Sequence, residues 1–212
     1  MKMKKFSIVS LFTMLLIGSI YSTQALAVGK GFYLQTGSGS ATWDADFDSG
    51  FKSSFDSDTS HTGIGFVLDT ATAKDKLFNY RLQVGYEKYE DKINGSSSKL
   101  KMKSLVIDQD FGFGLVRNKN IRFWLAPEIR IAFASGSPNG SNGYDVALVG
   151  FGLGPAVGIN FHTSQKLSLA LKVGYLKMNY SGAGNDNSSS SNNATYTVHE
   201  NITFVNFSML FK

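Results

Sequence analysis

The chain has 212 residues, of which 42% are hydrophobic and 13% aromatic, with 22 Gly, 3 Pro, no Cys and a formal net charge of +5. The lack of cysteine excludes disulfides, thiolate nucleophiles and Cys-bound metals. Nothing after the N-terminus is apolar for the roughly 20 residues that a membrane helix needs. The sequence also carries no phosphate loop, metal-ligand cluster or nucleic-acid motif.

The first element is a processing signal. Lys2, Lys4 and Lys5 precede an apolar run from Phe6 to Ile20, and Ala25-Leu26-Ala27 follows as an A-x-A site. This order predicts a Sec signal peptide, residues 1–27, cleaved after Ala27. It takes three lysines and no acid with it, so the net charge does not argue for nucleic-acid binding. Residues 28–212 remain as one domain.

Eight segments of period-two alternation follow, each long enough to cross a bilayer as a tilted strand of about 9–11 residues. The first spans 31–43. The second, 60–70, sets Ile64, Phe66 and Leu68 against Gly63, Gly65 and Asp69. The third, 77–90, sets Phe78, Tyr80, Leu82, Val84 and Tyr86 against Asn79, Arg81, Gln83 and Glu87. The fourth, 99–115, opposes Leu105, Ile107, Phe111 and Phe113 to Asp108, Asp110, Gly112 and Gly114. The fifth, 120–134, opposes Phe123, Leu125, Ile129 and Ile131 to Arg122, Trp124, Glu128 and Arg130. In the sixth, 145–161, Val149, Phe151 and Leu153 alternate with Gly150, Gly152 and Gly154. The seventh, 166–180, alternates Leu167, Leu169, Leu171 and Val173 with Ser168, Ala170 and Lys172. The eighth, 195–211, ends on Thr203, Val205, Phe207, Met209 and Phe211.

Polar connectors at 44–59, 91–98, 135–144 and 181–194 alternate with mostly shorter ones at 71–76, 116–119 and 162–165. Long loops on one side and short turns on the other predict an all-β, eight-stranded, antiparallel up-and-down transmembrane barrel with both termini periplasmic. A soluble β-sandwich would have shorter strands and more Lys, Glu and Thr on its polar faces.

The whole of residues 28–212 resembles the OmpA/OmpX-type outer-membrane barrels. The most specific match is the alternating C-terminal strand of Val205, Phe207, Met209 and Phe211, similar to that family's insertion signal, although Lys212 follows the Phe. The resemblance implies the bacterial outer membrane and its assembly machinery as partner.

With polar faces inward, Arg81, Asp108, Asp110, Glu128 and Arg130 fall in one belt, joined by Arg122 and Lys172. Arg81 is expected opposite Asp108, Asp108 near Arg130, and Asp110 near Glu128. Gly150, Gly152 and Gly154 are expected to make room for Arg130. An eight-stranded barrel is just wide enough for side chains to fill, so the belt predicts a polar plug rather than a pore. On the outward face, Lys88, Lys99, Lys101 and Lys103 predict a lipopolysaccharide contact, with Lys88 beside Lys101. Loop one, with Asp44, Asp46, Asp48, Asp56 and Asp58, lacks EF-hand spacing and is read as a mobile solvated loop. Loop four, Gly182 to Asn193, reads as disordered. Trp43, Tyr86, Tyr144, Tyr175 and Tyr180 are expected in an outer aromatic girdle, and Phe78, Phe123, Phe161 and Phe211 in an inner one. The three histidines, His61, His162 and His199, read as structural. His162 and Ser164 are similar to the H-x-S pair of lipid A deacylases but fall in a turn, with no Glu in the strand that follows.

The expectation is a non-enzymatic surface barrel without cofactors or nucleic-acid partners, contacting outer-membrane lipids and any extracellular ligand through its loops. A narrow solute channel and a lipid A-modifying enzyme are the alternatives.

Overall fold

The computed structural model describes residues 28–70, 76–95, 99–138, 144–186 and 193–212. The signal peptide lies outside the described residues, as do residues 187–192 of loop four. Eight strands follow one another: β1 (Gly29–Phe47), β2 (Lys52–Asp69), β3 (Phe78–Ile93), β4 (Lys99–Arg117), β5 (Ile121–Pro138), β6 (Tyr144–Phe161), β7 (Leu167–Asp186) and β8 (Asn193–Phe211). Each pairs antiparallel with the next, and β8 closes on β1. Closure satisfies every strand edge, which an open sheet cannot do in hydrocarbon.

The strands run well past the apolar segments, and this corrects the expected loops. β1 and β2 pair as far as Asp46↔Lys52, so loop one shrinks to residues 48–51. Residues Gly182–Asp186, read as part of a disordered loop, belong to β7. Backbone alternation continues there, but its polarity is reversed. Near the periplasmic end Phe66, Phe78, Phe161 and Phe207 point outward, exposed to lipid, while Arg81, Asp108 and Lys172 point inward. Near the extracellular end Ser40, Thr42, Asp56, Asp58, Asn179 and His199 point outward. There the interior is apolar: Trp43, Tyr89, Met102, Leu148, Met178, Tyr180, Tyr196 and Val198 form one buried cluster. A β-extension standing in water must hide its apolar face inside, as a soluble barrel does. The lower lumen is therefore charged, while the upper lumen is mostly apolar with Ser57, Thr59 and Asp91 buried within it.

The same parity corrects the girdle. Trp43 and Tyr180 are 1% and 4% exposed and fill the lumen. Each has the parity of the inward set on its own strand. Tyr86 and Tyr175 do face outward, as do Phe78, Phe123, Phe161 and Phe211. The Tyr144 side chain lies outside the described set.

Large lumen side chains fit because glycines stand beside them. A Cβ on Gly158 would strike the Trp124 ring, one on Gly174 the Phe204 ring, and one on Gly85 the Tyr33 hydroxyl. The room at Gly150 and Gly152 is taken by Tyr180 and Met178 of β7, not by Arg130. Those two side chains reach over from the neighbouring strand, whereas Arg130 turns toward Asp108 on β4.

Two prolines mark the lipid face. Pro127 and Pro155 oppose each other across β5–β6. As neither can donate, this is a non-hydrogen-bonded position in that ladder, and each imide nitrogen points to the outer neighbour instead. Both neighbouring ladders are interrupted there. β4–β5 pairing skips from Asp110↔Glu128 to Phe113↔Leu125, and β6–β7 from Leu153↔Lys177 to Ala156↔Gly174.

Candidate functional site in the lumen and at the outer rim

Strands β3, β4, β5 and β7 deliver the charged belt. Arg130 grips Asp108 through Nε and Nη2 at 2.6 and 2.9 Å, and its Nη1 donates to Glu87 at 3.2 Å. Lys172 Nζ donates to Asp110 at 3.1 Å and Glu128 at 3.0 Å. Arg81 donates to Ser208, to Asn206 at 3.3 Å and to Asp69 at 3.3 Å, and lies 4.0 Å from Asp110. Ladder pairing sets Arg81 across from Asp110, not Asp108. The β3–β4 pairing continues to Lys92↔Lys99, which centres that hairpin between positions 95 and 96 rather than 94 and 95. The resulting slip is two residues, so every side chain keeps its face. Asp108 does pair with Arg130, and Asp110 with Glu128.

Arg122 stands apart at the periplasmic mouth. It donates to the carbonyls of Lys76 (2.6 Å) and Leu77 (3.3 Å) and to Asn79 at 3.2 Å. Its charge caps the β2–β3 connector instead of entering the Arg130 cluster.

Several members of the belt stand outside the expected set. Glu87 bridges Arg130, Gln35 (2.9 Å) and His61 (3.5 Å). His61 Nε2 lies 2.7 Å from Glu200, and its ring stacks on Tyr89. Asp69 receives both Arg81 and Asn160. Each has the inward parity of its strand. His61 falls within the expected strand 60–70 and shares the inward parity of Gly63 and Gly65, so parity alone could have assigned it to the lumen.

Phe204 divides the two halves of the lumen, with Lys172 Nζ 5.1 Å and Arg130 Cζ 5.6 Å from its ring centroid. Above it, Trp43 stacks on Phe55, meets Tyr196 edge-on and donates to Asp91 at 2.8 Å. Arg81, Asp108, Asp110, Glu128 and Lys172 are 0% exposed, and Arg130 is 1%. These side chains fill the lumen at that level. A buried charge that loses its partner costs several kcal/mol, which favours keeping the belt closed.

On the outer rim Lys88, Lys99, Lys101 and Lys103 all face outward. Lys88 sits across from Lys103, not Lys101, through the same two-residue displacement. Lys99 Nζ lies 2.6 Å from Glu90, and this hydrogen bond holds the Glu90 carboxyl below its ordinary range. Lys88 and Lys103 are flanked across the ladders by Thr62 and Ser135 instead. Val205, Phe207, Met209 and Phe211, 40–45% exposed, form the lipid face of β8. His162 Nδ1 lies 2.8 Å from the Ser168 hydroxyl at the periplasmic end, and Ser168 is 0% exposed. His199 faces outward against Asn179, on the side of β8 opposite Glu200.

A closed ring of eight antiparallel strands with an outward apolar band and a side-chain-filled interior defines an eight-stranded up-and-down β-barrel, the fold of small outer-membrane barrels. No family model and no curated protein matches the sequence. Among solved structures the chain is similar to the outer membrane protein OprG from Pseudomonas aeruginosa, at 13% identity and a TM-score of 0.56, over 85% of this chain and 95% of that one. Neisserial surface protein A is matched at 18% identity and a TM-score of 0.38, over 84% of this chain and 97% of that one. The likeness to OprG shows the fold, an eight-stranded antiparallel β-barrel.

Proposed function

We propose that the protein is a non-conducting, non-enzymatic surface barrel, exported by removal of residues 1–27 after Ala27. It presents a rigid extracellular β-extension to ligands and strengthens the outer leaflet by holding lipopolysaccharide phosphates on Lys88, Lys99, Lys101 and Lys103. The sealed lumen carries this reading. Fully buried ion pairs below and packed aromatic rings above support it. Catalysis is disfavoured by the same burial, because the one Ser–His pair at the periplasmic end has its hydroxyl enclosed. Lysines 88 and 103 oppose each other directly, a like-charge pairing that destabilises a sheet unless an anion lies against it.

Proteoliposome swelling with small sugars and amino acids tests the closed lumen, and mass spectrometry of lipid A from cells with and without the protein tests for enzymatic change. The reading expects no swelling above protein-free vesicles and identical lipid A. Solute uptake or a new acyl pattern would overturn it. Lys88→Glu/Lys103→Glu should weaken lipopolysaccharide binding by the folded barrel, whereas unchanged binding removes the phosphate role.

A further inference from the structure

The two rims of the barrel differ in charge. At the periplasmic end the described residues include the exposed lysines Lys30, Lys76, Lys119 and Lys166, with Lys212 half-buried beside them, its Nζ 3.4 Å from His162 Nδ1 and from the Ser164 carbonyl. The described side-chain carboxylate at that end, Asp69, is buried and turned into the lumen on Arg81. At the extracellular rim, by contrast, Lys52 lies against Asp46 and Lys99 against Glu90.

These cations are fixed on a continuous rim. The β4–β5 turn is closed by the Asn118 side chain, which accepts from the amides of Asn120 and Ile121 at 3.0 and 2.7 Å. The His162 amide donates to the Asn120 carbonyl at 2.7 Å, tying that turn to the next. The Lys212 amide donates to the Lys166 carbonyl at 3.0 Å, and Lys30 pairs with Phe211. The β4–β5 and β6–β7 connectors span only residues 118–120 and 162–166. Lys30 shares a face with Phe32 two residues on, and Lys76 stands two residues before Phe78. Both phenylalanines are lipid-exposed. Turns this short keep the ammonium groups in the headgroup layer.

We infer that this rim is a binding surface for the phosphates of anionic glycerophospholipids in the periplasmic leaflet. A zwitterionic headgroup brings its own ammonium and leaves the excess cationic charge uncompensated. A net-negative headgroup removes it, and each Lys or Arg near an anionic surface adds to the attraction. The cell-wall polymer is the competing anion, but it lies beyond the reach of three- and five-residue turns.

The test is electron paramagnetic resonance of spin-labelled phosphatidylglycerol and phosphatidylcholine in phosphatidylcholine vesicles holding the folded barrel. The wild type is expected to select phosphatidylglycerol by about threefold or more. Lys30→Gln/Lys119→Gln/Lys166→Gln/Lys212→Gln should bring selectivity close to one, while Lys88→Gln/Lys103→Gln retains most of it. Heat-shifted gel mobility verifies folding, and Lys119→Gln/Lys166→Gln, confined to turns, serves if the fourfold variant fails to fold. The inference is overturned if the periplasmic variants keep wild-type selectivity or if only the Lys88/Lys103 variant loses it. Cosedimentation with purified peptidoglycan that the periplasmic substitutions abolish, with lipid selectivity unchanged, would also overturn it.

Discussion

Arg130 holds two carboxylates, Asp108 and Glu87, where no water reaches. Arg130→Met leaves both facing an apolar chain. The expected loss is roughly 3–5 kcal/mol in urea unfolding of the refolded barrel, since breaking a buried pair strands its partner. Adding Asp108→Asn should recover part of that loss, and a double variant no better than the single would show that the pair does not act as a unit. The tryptophans report on the interior. Trp43 and Trp124, the two in the chain, are 1% and 0% exposed inside the barrel. Intrinsic fluorescence should therefore resist quenching by brominated acyl chains, which would quench a Trp43 placed in a lipid-facing girdle.

At the level of strands, the paired prolines interrupt the ladders flanking the β5–β6 hairpin within the membrane. Pro155→Val restores a donor opposite Tyr175 and should stabilise the barrel by up to about 1 kcal/mol in unfolding midpoint experiments. An unchanged or lower stability would show that the break lies in strand shape and not in the missing N–H. The strands themselves were readable because lipid demands one continuous apolar face: Phe78 to Tyr86 and Ile121 to Phe133 mark theirs without help from tertiary contacts. Their upper ends were not readable from the same signal. Beyond Thr36 the outward residues of β1 are Ser38, Ser40, Thr42 and Asp44, and the apolar ones, Trp43 and Ala45, turn inward. A search for apolar residues facing out ends where that polarity inverts. The belt was legible as to face, because parity alone assigns it. Its pairings depended on hairpin centres, and the β3–β4 hairpin is centred between positions 95 and 96, which displaces its pairings by two.

For the whole molecule, the inversion joins two folding problems in one ring. Below, burial of charge in a lipid-surrounded lumen demands ion pairs. Above, in water, the hydrophobic effect packs the lumen with rings and aliphatic chains. Both halves fill the same passage with side chains. The most direct check is current across a planar bilayer holding the folded monomer. A sealed lumen gives no steady conductance steps over the bare membrane at moderate voltage. Reproducible open-state steps from folded monomer would contradict it.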